Sequence, residues 1–284
     1  MTDTAAPEAA TGGCRGVSPS EARALLGVLE SDPLVSCPAA EKFAASGAVP
    51  GPEGRFLTLG GPETSLVFVG SSVLPLRGDA HDHHALGLAV AGLGFGPMSV
   101  HGRRDQVSAL WDALGSCWGP PREYRDSQVL MSLQGPVDQS LVLGGIRTAT
   151  IVEFEQVLAA AAAMYREELG SDPFAVGSGI PFRRRVARSL ARGRTWVGVD
   201  DGEVFFKADV AAISPWSAQI QGVWARPGRR GAGLGTGGIA AVCAALQSGR
   251  LTPSLVVNGS NTAARAAYRR VGMIDVVDYA SVLM

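Results

Sequence analysis

The sequence predicts a mixed α/β protein built in two units, and three observations carry that reading. Its 284 residues suit either one large domain or two of about 140 residues each. Hydrophobic residues make up 46% and charged residues 18%, enough apolar side chain for a sizeable core and too much for a disordered chain. Short strand-like runs alternate with segments of helical periodicity along the whole length, which gives the mixed class.

Several classes are excluded early. No apolar run reaches the roughly 18 residues that span a bilayer, so no membrane partner is expected. Met1-Thr2-Asp3-Thr4 has neither a basic region nor an apolar stretch behind it, so it does not read as a secretory signal, and a cytoplasmic location is expected. Cys14, Cys37, Cys117 and Cys243 are widely spaced and form no C-x-x-C pair, which points to reduced thiols. His81-Asp82-His83-His84 reads as a polar helix start, because adjacent residues point different ways; no metal site is expected. Charge is unevenly divided: residues 1–150 carry 10 Lys/Arg against 15 Asp/Glu, and residues 151–284 carry 15 against 11. The basic second half favours an anionic ligand or partner there.

The elements follow in order. Residues 1–16 lack apolar periodicity and read as a mobile tail. Ser18, with Glu21 three residues on, reads as a helix start for a stripe of Leu25, Leu26 and Leu29 that Asp32-Pro33 ends. Strands are predicted over 55–59, 65–69 and 128–133, and helices over 81–91 and 104–114. Trp111 and Trp118, seven apart, read as packing residues. The first unit is placed at 17–148 and the second at 149–284. In the second, a helix over 153–169 stops at Gly170, and a shorter one covers 183–191. Strands at 195–199, 203–208 and 218–225 precede a Gly-rich loop at 228–235 and a helix to about Gln247. A strand at 254–258, a helix at 262–271 and a final strand or hairpin at 274–284 complete the order.

Arg230-Gly231-Ala232-Gly233-Leu234-Gly235 stands after a strand and at the start of a helix. Glycines there let backbone approach a ligand, and the N–H groups of a first helical turn favour an anion, with Arg229 and Arg230 adding charge. By itself such a loop is equally a flexible turn. Its context is more specific. The segment resembles the acyl-coenzyme A loop of the GNAT N-acetyltransferases, Arg/Gln-x-x-Gly-x-Gly/Ala, with Arg230, Gly233 and Gly235 at the defined positions. The strand before it, the strand ending at Asn258, and Asn261-Thr-Ala-Ala-Arg-Ala-Ala-Tyr268-Arg-Arg-Val-Gly272 continue the resemblance in order over roughly 219–284.

Met164-Tyr-Arg-Glu-Glu-Leu-Gly-Ser-Asp-Pro173, Val107-Ser-Ala-Leu-Trp111 and Trp118-Gly-Pro-Pro-Arg-Glu-Tyr-Arg125 extend it to a tandem, actinobacterial-looking subfamily. That resemblance implies two GNAT-like lobes, each a mixed and mostly antiparallel sheet flanked by helices, the first a degenerate accessory domain. The first lobe lacks the loop pattern, so a second coenzyme site is not expected.

The resemblance also implies the chemistry. Residues 229–236, thus including Thr236, would cradle the pyrophosphate of acetyl-CoA or another acyl-CoA. A backbone N–H near Val223 and Trp224 would polarise the thioester carbonyl, where the family's central strands part. Asn258, Asn261 and Ala264 would line the pantetheine arm. Tyr268 would be the general acid for the leaving thiolate; read alone, it is equally a core residue with its hydroxyl at the edge. For the base, the strand before the loop offers only Gln219 and Gln221. Glu167 and Glu168, with Asp172, either shape the acceptor pocket or form a solvated helix end, and Asp209 just past Lys207 is a further candidate.

Six arginines fall within 183–194, and Arg184, Arg188 and Arg192 either lie on a solvated face or dock a polyanion. The reading is thus an acyltransferase acting on a small-molecule amine or a peptide N-terminus, as a monomer or homodimer. Alternatives are a carrier-protein thioester or an aminoacyl-tRNA as donor, and a non-catalytic acyl-CoA sensor.

Overall fold

A computed structural model describes residues 13–94, 96, 99–175 and 177–284. Its chain divides into two compact units, one of residues 1–128 with 278–284 and one of residues 129–277. The tail expected over 1–16 falls outside the described residues as far as residue 12; Cys14–Gly16 instead forms strand β1.

In the first unit, a capping box in which Glu21 accepts from the Ser18 N–H and hydroxyl turns the chain into α1 (Ala22–Ser31). Then come α2 (Cys37–Ser46), β2 (Arg55–Leu59), β3 (Leu66–Val69), β4 (Ser72–Arg77), α3 (Ala80–Ala91), β5 (Ser99–Arg103) and α4 (Arg104–Trp118). Strand β6 (Glu123–Leu133) passes into the second unit. The strand order is β1-β2-β3-β4-β5, followed by the end of the last strand, β12 (Met273–Leu283). All these pairs are antiparallel except β4 with β5. Leu86, Val90, Val107, Leu110 and Leu114 of the helices bury against Val67, Val69, Val73 and Val100 of the sheet. Helix α2 and strands β4 and β5 are not legible in the sequence. Pro75 argues against a strand, and Ser-Val-His-Gly-Arg carries a single strong apolar residue.

The second unit contains β7 (Arg147–Thr148), α5 (Phe154–Leu169), α6 (Ile180–Ala191), β8 (Thr195–Asp200), β9 (Glu203–Ile213), β10 (Ser217–Ala225), α7 (Leu234–Ser248), β11 (Thr252–Asn258) and α8 (Thr262–Val271). Its strand order is β6-β11-β10-β9-β8-β7, antiparallel from β10 outward to β7, with β10 parallel to β11. Period-2 alternation on β9 explains why both faces are covered. Phe206, Ala208 and Val210 pack with Ile239, Val242 and Leu246 of α7. A second cluster joins Val157, Leu158 and Ala161 of α5 to Phe182, Val186 and Leu190 of α6, over Val197 and Trp224. Each unit thus repeats strand, helix, parallel neighbouring strand, helix: β4-α3-β5-α4 in the first, β10-α7-β11-α8 in the second. This is the mixed, mostly antiparallel two-lobe α/β architecture that the sequence predicts.

The boundary differs from the expected 148/149. Met131, Leu133 and Val137 bury in the core under α7, and the Gln247 side chain bonds the Gly135 carbonyl at 2.7 Å and the Val137 N–H at 3.1 Å. Residues 129–148 therefore belong with the second unit. The last seven residues belong with the first, because Tyr279–Leu283 pair with β5. The predicted final hairpin is one continuous strand.

Candidate active site

The Gly-rich loop runs into α7 through a 3-10 turn, Pro227–Arg229, and Gly233 is the residue that precedes the helix. Gly233 has φ +78°, a left-handed conformation costly for any residue with a side chain. No side chain caps α7, and the first bond of the helix runs from Gly237 N–H to the Gly233 carbonyl. The N–H groups of Leu234, Gly235 and Thr236 therefore sit at the helix's positive end without an intrahelical acceptor. A Cβ built on Gly231 or Gly233 meets nothing within 4 Å, so packing within the protein does not demand glycine there. Ala232 is exposed between them. Space, N–H donors and dipole together fit an anion such as a pyrophosphate.

The two loop arginines are already paired. Arg229 bonds Asp200 at 2.9 Å and lies over the Phe205 ring. Arg230 reaches back to the Ala225 carbonyl at 2.9 Å and to Glu167 at 2.5 Å. Sequence reasoning places both as charges beside the anion. In the structure each is also held in an exposed ion pair of the kind worth at most about 1 kcal/mol.

Beside this loop the sheet opens. Strands β10 and β11 pair only from Ser217↔Thr252 to Ile220↔Leu255, although β10 continues to Ala225 and β11 to Asn258. On its other edge β10 carries a bulge. Gln221 opposes Asp209 and Trp224 opposes Lys207, so Gly222 and Val223 face the single residue Ala208. Gly222 takes φ +57° there. The bulge re-aims the backbone of Gly222–Val223 where the strands part.

Glu167, one of the two base candidates on α5, is engaged through both oxygens. Its two carboxylate oxygens accept from Trp224 Nε1 at 3.1 Å and from Arg230 at 2.5 Å, so it links α5 to the bulged strand and the loop. Glu168, on the next position of α5, is exposed, and its charge acts on Tyr268. Tyr268 is 8% exposed on α8 and packs in the α7 core. Burial, then the Glu168 charge, then Cys243 raise its hydroxyl above the ordinary value near 10. A hydroxyl so placed keeps its proton at neutral pH.

Asn261 is the N-cap of α8, its Oδ1 accepting from the Ala264 N–H at 3.1 Å. Ala264 packs against the core, and Asn258 ends β11. Arg184, Arg188 and Arg192 are exposed and make no ion pair among the described residues, whereas Arg183 and Arg185 lie over Phe174 and Phe182. In the first unit, the helix start that corresponds to α7 is closed by its own carboxylates. Asp79 accepts from the Asp82 N–H at 2.9 Å, and Asp82 from the Asp79 N–H at 3.1 Å. His83 is buried there, which lowers its pKa, and no group of three or more metal-ligating residues occurs among the described residues.

Sequence reasoning names Asp209 beside Lys207 as a base candidate but misses the buried polar group that the two form under the bulge. Lys207 and Asp209 form an ion pair of 2.5 Å with Lys207 only 1% exposed, and Thr195 and Ser189 donate to the same Asp209. A lone lysine inside the apolar strand Val-Phe-Phe-Lys-Ala was the available signal.

The sheet thus parts beside an uncapped, anion-ready helix start. Residues 155–273 match the family described as Acetyltransferase (GNAT) family, and residues 54–157 match a domain of unknown function, DUF4081. The chain therefore carries a GNAT-family acetyltransferase domain behind a DUF4081 domain.

No curated protein matches the chain. Among solved structures, a Drosophila protein aligns with a TM-score of 0.60 at 14% identity, over 96% of this chain and 98% of its own. A GCN5-related N-acetyltransferase-like protein from Streptococcus suis gives 0.56 at 15%, over 93% and 99%. A GCN5-related N-acetyltransferase from Sphaerobacter thermophilus gives 0.55 at 18%, over 94% and 93%. At these identities the likeness establishes the fold. No helix among the described residues is long and apolar enough to cross a membrane.

Proposed function

We propose that residues 129–277 transfer an acyl group, by default acetyl, from an acyl-CoA to an amine, either a small molecule or a peptide N-terminus. The observation that carries this reading is the parting of β10 from β11 after Ile220 and Leu255, next to the uncapped start of α7. The pyrophosphate sits on the N–H groups of 231–236, and the thin pantetheine arm enters between the strands along Ala264. The Val223 N–H meets the thioester oxygen. The amine lone pair attacks the carbonyl carbon, C–N forms and C–S breaks. The thiolate takes the Tyr268 proton, and the proton lost by the amine passes to Glu168 directly or through water. Arg230, Glu167 and Trp224 fix the loop and the bulge relative to one another.

The exposed stripe of Arg184, Arg188 and Arg192, without an ion pair among the described residues, favours a second reading of the donor: a carrier-protein thioester or an aminoacyl-tRNA docking on α6. Calorimetry with acetyl-CoA, followed by thiol release against a panel of amines and peptides, tests the first reading. Binding with product supports it, binding without product for any acceptor makes the domain a sensor, and no binding removes it.

A further inference from the structure

A bulge inserts an unpaired residue into a ladder, so something else must hold it in one conformation. Lys207 and Asp209 flank Ala208 on β9 and, two apart, point to the same face of the sheet, toward α5 and α6. They join at 2.5 Å directly against Gly222. A Cβ on Gly222 would lie 3.3 Å from Asp209 Oδ2, 3.3 Å from Met164 Cε and 3.5 Å from Lys207 Nζ. The other carboxylate oxygen, Oδ1, accepts from Thr195 Oγ1 of β8 at 2.7 Å and from Ser189 Oγ of α6 at 3.4 Å. The Thr195 and Ser189 hydroxyls lie within hydrogen-bond distance of each other, at 2.8 Å. Four polar side chains from three elements thus converge beneath two backbone residues. Burying an ion pair seldom stabilises a fold relative to apolar side chains of similar size. Its position points to a local task.

We propose that Lys207 and Asp209, locked by Thr195 and Ser189, are positioning residues that hold the Gly222–Val223 bulge so that the Val223 N–H polarises the donor carbonyl. This rests on the acyl-CoA reading above. It differs from a stability role because its effect falls on carbonyl polarisation. Losing a single oxyanion donor costs about 10²–10³-fold in turnover, and a displaced N–H approaches that limit.

The test uses the full chain, acetyl-CoA carrying a ¹³C carbonyl, and the infrared stretch of the bound thioester. Two variants are compared with wild type: Asp209→Asn, and the double substitution Lys207→Met with Asp209→Leu, which removes both charges and leaves none buried alone. In wild type the bound carbonyl stretch moves to lower frequency than in free acetyl-CoA. In both variants that shift is lost and turnover falls at least tenfold, while the acetyl-CoA Kd stays within about threefold. If either folded variant keeps the shift and turnover, the proposal is overturned, and Asp209→Asn decides alone should the double variant not fold. A wild-type shift of zero on bound donor overturns it as well. Failure of wild type to bind acetyl-CoA is a separate result that removes the donor reading and this inference with it.

Discussion

Replacing Gly233 with valine separates a ligand cradle from a structural turn. The wild-type residue stands at φ +78°, where an L side chain costs about 1–2 kcal/mol. An added Cβ meets nothing within 4 Å. Unfolding should therefore weaken by about 1–2 kcal/mol, or roughly 2–8 °C in Tm for a domain of this size. Donor binding should suffer far more. The valine methyls occupy the open space in front of the α7 N–H groups and keep the pyrophosphate away. Two hydrogen bonds to a charged group, at about 1.5–3 kcal/mol each, amount to about 10²- to 10⁴-fold in Kd. Thermal unfolding gives the first quantity and calorimetry with acetyl-CoA the second. Gly238→Ala is the control with the opposite balance: its Cβ would lie 2.4 Å from the Phe206 ring, so stability falls while the folded fraction still binds. An unchanged acetyl-CoA affinity in folded Gly233→Val refutes the cradle.

Three further outcomes follow from other parts of the chain. Tyr268→Phe keeps the ring in the α7 core and removes the proton donor, so turnover should fall about 10²-fold with donor Kd within threefold; turnover within threefold makes Tyr268 a packing residue. Replacing Arg184, Arg188 and Arg192 together with Glu should leave acetyl-CoA binding intact and selectively damage use of a carrier or tRNA donor, with high salt mimicking the change; equal rates at low and high salt with every donor leave a solvated face. In the first unit, burial lowers His101, bonded to Tyr279 at 2.8 Å, to about 4. The native ring stays neutral while the unfolded chain takes up a proton below about 6.5, so stability is full above that pH and falls between about 6.5 and 4. His101→Asn should flatten that part of the pH profile, and an unchanged slope assigns it to other groups.

Much of this protein is legible in its sequence, because local rules govern those parts. The helix of 262–271 is legible in the run from Asn261 to Gly272 that carries the resemblance, and the loop of 228–235 in glycines ahead of an apolar helix. The order of elements from residue 153 to 271 follows from periodicity and turn signals. What the sequence left open depends on contacts between distant segments. Glu167 and Glu168 are neighbours with equal claims as a base. Only packing turns one toward Trp224 and Arg230, 57 and 63 residues away, and leaves the charge of the other acting on Tyr268. The exchange of residues 129–148 and 278–284 between units arises from strand pairing and core contacts that no local window contains. The parting of β10 from β11 and the bulge at Gly222 are properties of a register. They exist only once β9, β10 and β11 lie side by side, with Lys207, Asp209 and Thr195 folded beneath them.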